Sequence, residues 1–291
     1  MKDKFYYGGQ AVLEGVMMRG RNHYTIAVRQ ETKEISSVTH RLSNVYNGRL
    51  RKIPFIRGIL TLIETLILGI KSLLYSADIY MGEEEVKGKS AMIWVAMIIG
   101  VVAGIGLFIF IPLMLTRVID PYIGSGIVSN LVDGIFRLVM VIAYIWIIGF
   151  LPDIRRVFSY HGAEHKTINA FEDGADLTVE NVRKYSTAHA RCGTGFLLIV
   201  LTIATLVFMF TGRPPIYLRF LLRIVLLPAI AAVSYELLRL SARYCKNKVV
   251  RILMTPGLSL QSLTTREPDD EQIEVSITSL SKVIDADAFD I

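Results

Sequence analysis

Three of the chain's five histidines and one of its two cysteines fall within residues 160–192, YHGAEHKTINAFEDGADLTVENVRKYSTAHARC. His161 and His165 are four apart, so on a helix their rings share one face and can converge on one ion. The string from His161 to His165, HGAEH, fits the H-x-x-E-H pattern of inverted zinc peptidases, two histidine ligands with a glutamate base between them. At about 100° per residue, His161, Glu164, His165, Ile168 and Glu172 lie within about a 100° arc. That placement suits metal-assisted hydrolysis, with imidazoles on a divalent ion such as zinc and a carboxylate within reach of its water.

A third ligand is still required. His189, Cys192, Glu172, Asp173, Asp176 and Glu180 are candidates in the same stretch, and Glu236 is a distant one, about where inverted peptidases keep theirs. The metal set read here is His161, His165, His189, Cys192, Glu164 and Glu236, with Glu164 as base or further ligand. Lys166, Arg191 and Arg156 suit an anionic substrate group such as a phosphate. Two other readings stay open. The histidines can cap and pair along an interfacial helix with Glu164 or Glu172. Cys192, beside Arg191 and just before an apolar helix, can serve as a nucleophile with His189, although a ligand or a small residue at a tight helix entry ranks above that. Cys245 reads as structural, and Glu14 as an outer ligand or simply a strand acid.

The elements that carry these residues are strongly apolar. Mean hydropathy is +0.46, and 52% of residues are hydrophobic while 20% are charged, so the charge must be segregated. The net charge of +6 does not gather into a stripe with interleaved aromatics, which argues against nucleic acid. Two cysteines outside a CxxC spacing argue against a disulfide framework, and MKDKFYYGGQAVLEG lacks the apolar core of a signal peptide. Residues 91–115, 126–151, 195–212 and 216–240 are each long and apolar enough to cross a hydrocarbon core of about 30 Å. The basic residues cluster in the N-terminal segment, in 152–194 and after the last span, which places all three and both termini in the cytoplasm.

Residues 55–80 are ambiguous. Arg57, Glu64, Lys71 and Asp78 recur every seven residues and form one polar stripe, so the helix lies in the interface or re-enters, in preference to spanning. YTIAVRQ (24–30) and EISSVTH (34–40) alternate about an ETKE turn, as a β-hairpin does, and QIEVSITSLSKVID (272–285) alternates too. The expected fold is an α-helical polytopic membrane protein with about four transmembrane helices, one interfacial or re-entrant amphipathic helix and small β-rich cytoplasmic termini. Its parts are a Gly-rich and hairpin segment (1–52), the amphipathic helix (53–80), spans one and two (91–151), the His-rich site loop (152–194), spans three and four (195–240) and a β-rich C-terminal segment (241–291).

Four strings, GGQAVLEGVMMRG, RRVFSYHGAEHKTINAFE, STAHARCGTGFLLIV and TPGLSLQSLTTREP, resemble the YqhQ-like family of bacterial inner-membrane proteins with a domain of unknown function. The resemblance covers nearly the whole chain and implies a multi-span, metal-dependent enzyme of unspecified substrate. The motif positions are Glu14, Arg19, His161, Glu164, His165, Lys166, His189, Arg191 and Cys192, and Leu13 stands where the motif favours methionine. The functional expectation is a plasma-membrane protein with a cytoplasm-facing metal site, hydrolysing a lipid or another membrane-associated substrate. Its partners are the bilayer and, as an assembly, copies of itself. The rivals are a transporter, channel or lipid-handling protein built around Asp133, Arg137, Arg223 and Glu236, and a non-catalytic scaffold.

Overall fold

The computed structural model describes residues 5–43, 46, 48–81, 83–244 and 247–289. Cys245 lies outside them. The N-terminal part is a four-stranded antiparallel meander of β1 (Gly8–Val12), β2 (Gly15–Arg19), β3 (His23–Arg29) and β4 (Ile35–Arg41), paired in that order. The expected hairpin is β3–β4, with Ile26 opposite Val38. Val12 opposite Gly15 leaves Leu13 and Glu14 as a two-residue turn, with Glu14 at φ 51°. Alternation sends Val16, Met18 and Ala27 to one face of the sheet, and Met17, Tyr24, Ile26 and Val28 to the other.

The described helices are α1 (Ile56–Met81), α2 (Glu83–Ile105), α3 (Ile111–Ile119), α4 (Gly126–Ile148), α5 (Pro152–Asp173), α6 (Val179–Val182), α7 (Gly193–Met209), α8 (Ile216–Val225), α9 (Leu227–Arg243), α10 (Lys248–Thr264) and α11 (Asp270–Phe289). Leu68, Tyr75 and Ile79 of α1 pack on the second sheet face. Tyr160 and Ile168 of α5, with Val275, Leu280 and Val283 of α11, pack on the first. The sheet thus sits between an apolar helix and the helix that carries the histidines.

The C-terminal segment corrects the expectation of strand, because 270–289 form helix α11. Ile273, Val275 and Ile277 alternate, but the buried set continues through Ser276, Leu280, Val283 and Asp287, which only a helical period places on one face. A capping box starts it: Gln272 N–H donates to Asp269 Oδ1 (2.8 Å) and Asp269 N–H to Gln272 Oε1 (3.1 Å). At the far end Asp287 accepts from the N–H groups of Asn22 (2.9 Å) and His23 (3.1 Å) and pairs with the His23 ring. This carboxylate ties α11 to the β2–β3 turn.

Among the described residues, three helical stretches are long and apolar enough to cross a membrane: Ile56–Tyr80, Trp94–Tyr122 and Gly126–Ile148. The pair α8–α9, bent by 44°, makes a fourth if counted as one span, and α7 is a shorter apolar helix of 17 residues. The bend follows from Pro228, which has no N–H for the carbonyl of Ile224. In the second stretch Pro112 follows a π turn at Gly106–Phe110, a common way to absorb the missing bond. Residues 56–81 form one unbroken helix, which leaves no turn for a re-entrant hairpin. Two members of its polar stripe meet protein: buried Glu64 accepts from Arg19 (2.9 Å) and Arg51 (2.7 Å), and Arg57 pairs with Glu236, while Lys71 is exposed.

Candidate metal centre

Most of the His-rich "loop" is the helix α5. Pro152 opens it with a φ suited to a first turn, Asp153 favours its positive end, and Gly174 at φ 80° closes it. His161 and His165 do share a face, with ring centroids 4.3 Å apart. Each ring is aimed by a backbone carbonyl from another segment. His161 Nδ1 lies 2.9 Å from Thr264 O, and His165 Nδ1 lies 2.5 Å from Thr187 O. A carbonyl only accepts, so each Nδ1 carries a proton, and in the neutral ring each Nε2 presents a lone pair. The same bond fixes tautomer and orientation in metal-bound histidines generally.

Cys192 completes the group. It is the N-cap of α7, and its Sγ accepts from Thr194 N–H (3.3 Å) and lies 3.4 Å from His161 Nε2. Donor atoms of His161, His165 and Cys192 all lie within 4.8 Å of one another. Ligand atoms around tetrahedral zinc stand about 3.3–3.8 Å apart, as bond lengths of about 2.0–2.3 Å require, so a modest contraction fits them to the ion.

Glu164 stands beside this group as the sequence suggested. It is 5% exposed, and its Oε2 has no hydrogen-bond partner. Burial pushes its carboxyl up to about 7, against the pull of His161 and of the Gly9 N–H that bonds to it. Gly9 must be glycine here: a Cβ would lie 2.5 Å from Met17 O and 3.1 Å from Glu164 Cδ. A cavity of about 90 Å³, bounded by Gly8, Gly9, His161, Glu164, His165 and Cys192, lies against the donors.

The other candidates go elsewhere. The His189 ring is 5.5 Å from that of His165, but its Nε2 faces Arg191 (3.3 Å) and Glu172 (3.9 Å). Burial holds this imidazole below its usual range, against the pull of Glu172. Burial acts to raise Glu172, yet His189 and Arg191 outweigh it and keep the carboxyl below the usual range. Arg191 pairs with Glu172 and stacks over Tyr6 at 4.2 Å, at the rim of the cavity. Lys166, one residue and about 100° beyond His165, turns away to Arg183 O (2.8 Å) and Glu267 (2.5 Å). Glu236 is not drawn to the histidines, because Arg57 and the Phe55 N–H take both its oxygens. Asp173 accepts from Tyr185 (2.9 Å), and Glu180 pairs with Lys184 (3.5 Å). Glu14 holds the β1–β2 turn to α5 through Arg156 (2.6 Å) and Tyr160 (3.2 Å), which also occupies Arg156.

Sequence reasoning missed the segment that steers the histidines. Buried Gln261 clamps the His189 backbone, accepting from its N–H (3.0 Å) and donating to its carbonyl (2.9 Å). Thr264 supplies the carbonyl for His161, and a Cβ on Gly162 would sit 2.1 Å from Arg266 O. The available signal was the motif TPGLSLQSLTTREP, whose uncharged polar string QSLTT stands between an apolar run and the charged REPDDE.

A profile of the family described as "Protein of unknown function (DUF1385)" matches residues 53–286. The chain belongs to this family. It is also 35% identical over 298 residues to "Uncharacterized protein YqhQ" of Bacillus subtilis (strain 168), across 97% of this chain and 93% of the relative. No solved structure matches. The stretch shared with DUF1385 holds His161, Glu164, His165, His189 and Cys192, while the sheet that supplies Gly9 precedes it.

Proposed function

We propose that the chain is a membrane protein with a cytoplasm-facing divalent-metal site, zinc being the first candidate, that hydrolyses a membrane-associated substrate. One observation carries this reading: two histidines with protonated Nδ1 atoms direct their Nε2 lone pairs, with Cys192 Sγ, at one small volume beside a buried carboxyl. Two imidazoles and a thiolate suit zinc, and three protein ligands leave one position for water or substrate, as catalytic sites do. A bound ion supplies Lewis acidity and an activated water. Glu164 holds or takes a proton at its unpartnered Oε2, with a carboxyl poised near neutral pH. The 90 Å³ cavity leaves room against the donors for a water or a small substrate group, and Arg191 at its rim suits an anionic group. Lys166 is withdrawn from that role by Glu267. Outward-facing apolar side chains such as Ile98, Val101 and Val102 support the bilayer as surroundings.

The test is metal analysis of the full chain purified in detergent without chelator. Close to one equivalent of zinc, lost in His165→Ala and kept in Glu164→Gln, is the expected result. A wild type that neither retains nor takes up stoichiometric zinc, cobalt or manganese overturns the metal reading. A metal-loaded protein inactive on ester, phosphoester and peptide substrates reconstituted in vesicles overturns the hydrolase.

A further inference from the structure

A second group of buried charges lies away from the histidines, where α4, α7 and α8 meet. Asp133 and Arg137 of α4 are four apart and bonded at 2.9 Å. Arg219 and Arg223 of α8 are also four apart, and Arg223 Nη2 lies 2.7 Å from Asp133 Oδ2. Arg137 and Arg223 both stand over the ring of Phe208 in α7, at 5.7 and 5.2 Å. Arg219 reaches Asp120 (2.9 Å), Ser129 (3.0 Å) and Asn130 (3.3 Å), and Asp120 is shared with Arg213 at 3.9 Å. Asp133, Arg137, Arg219 and Arg223 are each 7% exposed or less.

The charges do not balance. Among the described residues three buried arginines, Arg137, Arg219 and Arg223, face two aspartates, Asp133 and the less buried Asp120, and exposed Arg213 also approaches Asp120. The bonding is incomplete as well: the Nε groups of Arg137, Arg219 and Arg223, Arg223 Nη2 and Asp133 Oδ1 are buried without a hydrogen-bond partner. Arg223 therefore touches Asp133 as a charge without aligning a donor on it. A desolvated cation without its counter-charge is strongly unfavourable, and ring stacking offsets only part of that. Guanidinium forks with free N–H groups match an oxyanion that accepts several bonds at once.

We propose that Arg137, Arg219 and Arg223 form a binding site for a phosphate-type oxyanion, supplied as free inorganic phosphate or as an anionic lipid headgroup. The two helical pairs place the guanidinium groups along one seam, next to the 44° bend between α8 and α9. Broken helices are where membrane proteins commonly hold charged cargo. Asp133 sets the spacing of its two arginines, and the oxyanion completes their bonding.

The experiment uses the full chain, delipidated in detergent, with two probes. Inorganic phosphate is titrated against sodium chloride of equal ionic strength while the melting temperature is followed. Phosphatidylglycerol is added at low stoichiometry and its retention is read by native mass spectrometry. A saturable rise with phosphate assigns the site to the free anion. Retention of one phosphatidylglycerol without a phosphate response assigns it to a headgroup. In either case Arg223→Met weakens binding at least tenfold, and Asp133→Asn, which adds to the excess positive charge, tightens it. Metal content stays at the wild-type level in both variants, which separates this site from the histidine cluster. A wild type that responds to neither probe overturns the proposal whether or not the variants fold. So does binding that Arg223→Met leaves unchanged.

Discussion

Glu164→Gln in the chelated, metal-free protein isolates the effect of burying one carboxyl. That carboxyl ordinarily titrates at 4.5, and burial moves it to about 7. A carboxyl raised in the folded state binds its proton more tightly there than in the unfolded chain. Stability is therefore highest below about 4.5, falls as pH climbs between the two values, and carries the whole penalty above about 7. The full penalty is about 3 kcal/mol, of which about 2.5 kcal/mol falls between about pH 5 and pH 8. Glutamine is neutral throughout, and its carbonyl still accepts the Gly9 N–H. Melting curves in detergent with chelator then show the variant's advantage over wild type growing by about 5 °C from pH 5 to pH 8. An advantage that stays flat or shrinks over that range refutes the account of Glu164 as a desolvated, poised carboxyl.

Other perturbations separate roles around the same site. Gln261→Ala removes both bonds on the His189 backbone and lowers stability by about 2 kcal/mol, read as a drop in melting temperature, while the three converging donors remain. Lys166→Met leaves metal content at the wild-type level, because the ammonium faces Glu267 and not the donors; loss of metal contradicts that placement. Gly9→Ala forces a methyl against Met17 O and Glu164, and metal affinity measured by competition with a chromophoric chelator falls by tenfold or more. Asp287→Ala frees the far end of α11 from the β2–β3 turn, and limited proteolysis then cleaves near the C-terminus first.

The helical face holding His161, Glu164 and His165 was legible because a four-residue spacing has one consequence on a helix. The β3–β4 hairpin was legible from alternation on both sides of a polar turn. Three things were not. Residues 272–285 alternate well enough to imitate a strand, and the deciding cue was the Asp269–Gln272 capping box just upstream. Glu236 has the right type and a familiar distance from the histidines, but Arg57 arrives from a different helix to claim it, and no spacing encodes that. Thr187 and Thr264 act through backbone carbonyls, which every residue has, so no side-chain type betrays them. Pairing depends on which segments cross in space, and that information is global.

The carbonyl that aims His161 comes from Thr264, and α11, which follows it, is pinned by Asp287 to the strands made first. Synthesis runs in the opposite order, so the ring at 161 leaves the ribosome long before its aiming partner exists. A chain arrested within α10 holds every donor of the group and the Thr187 carbonyl that aims His165, but not the Thr264 carbonyl that aims His161. Alignment of the donor set is thus a late event in the life of the polypeptide, complete only once the chain has been made through α10.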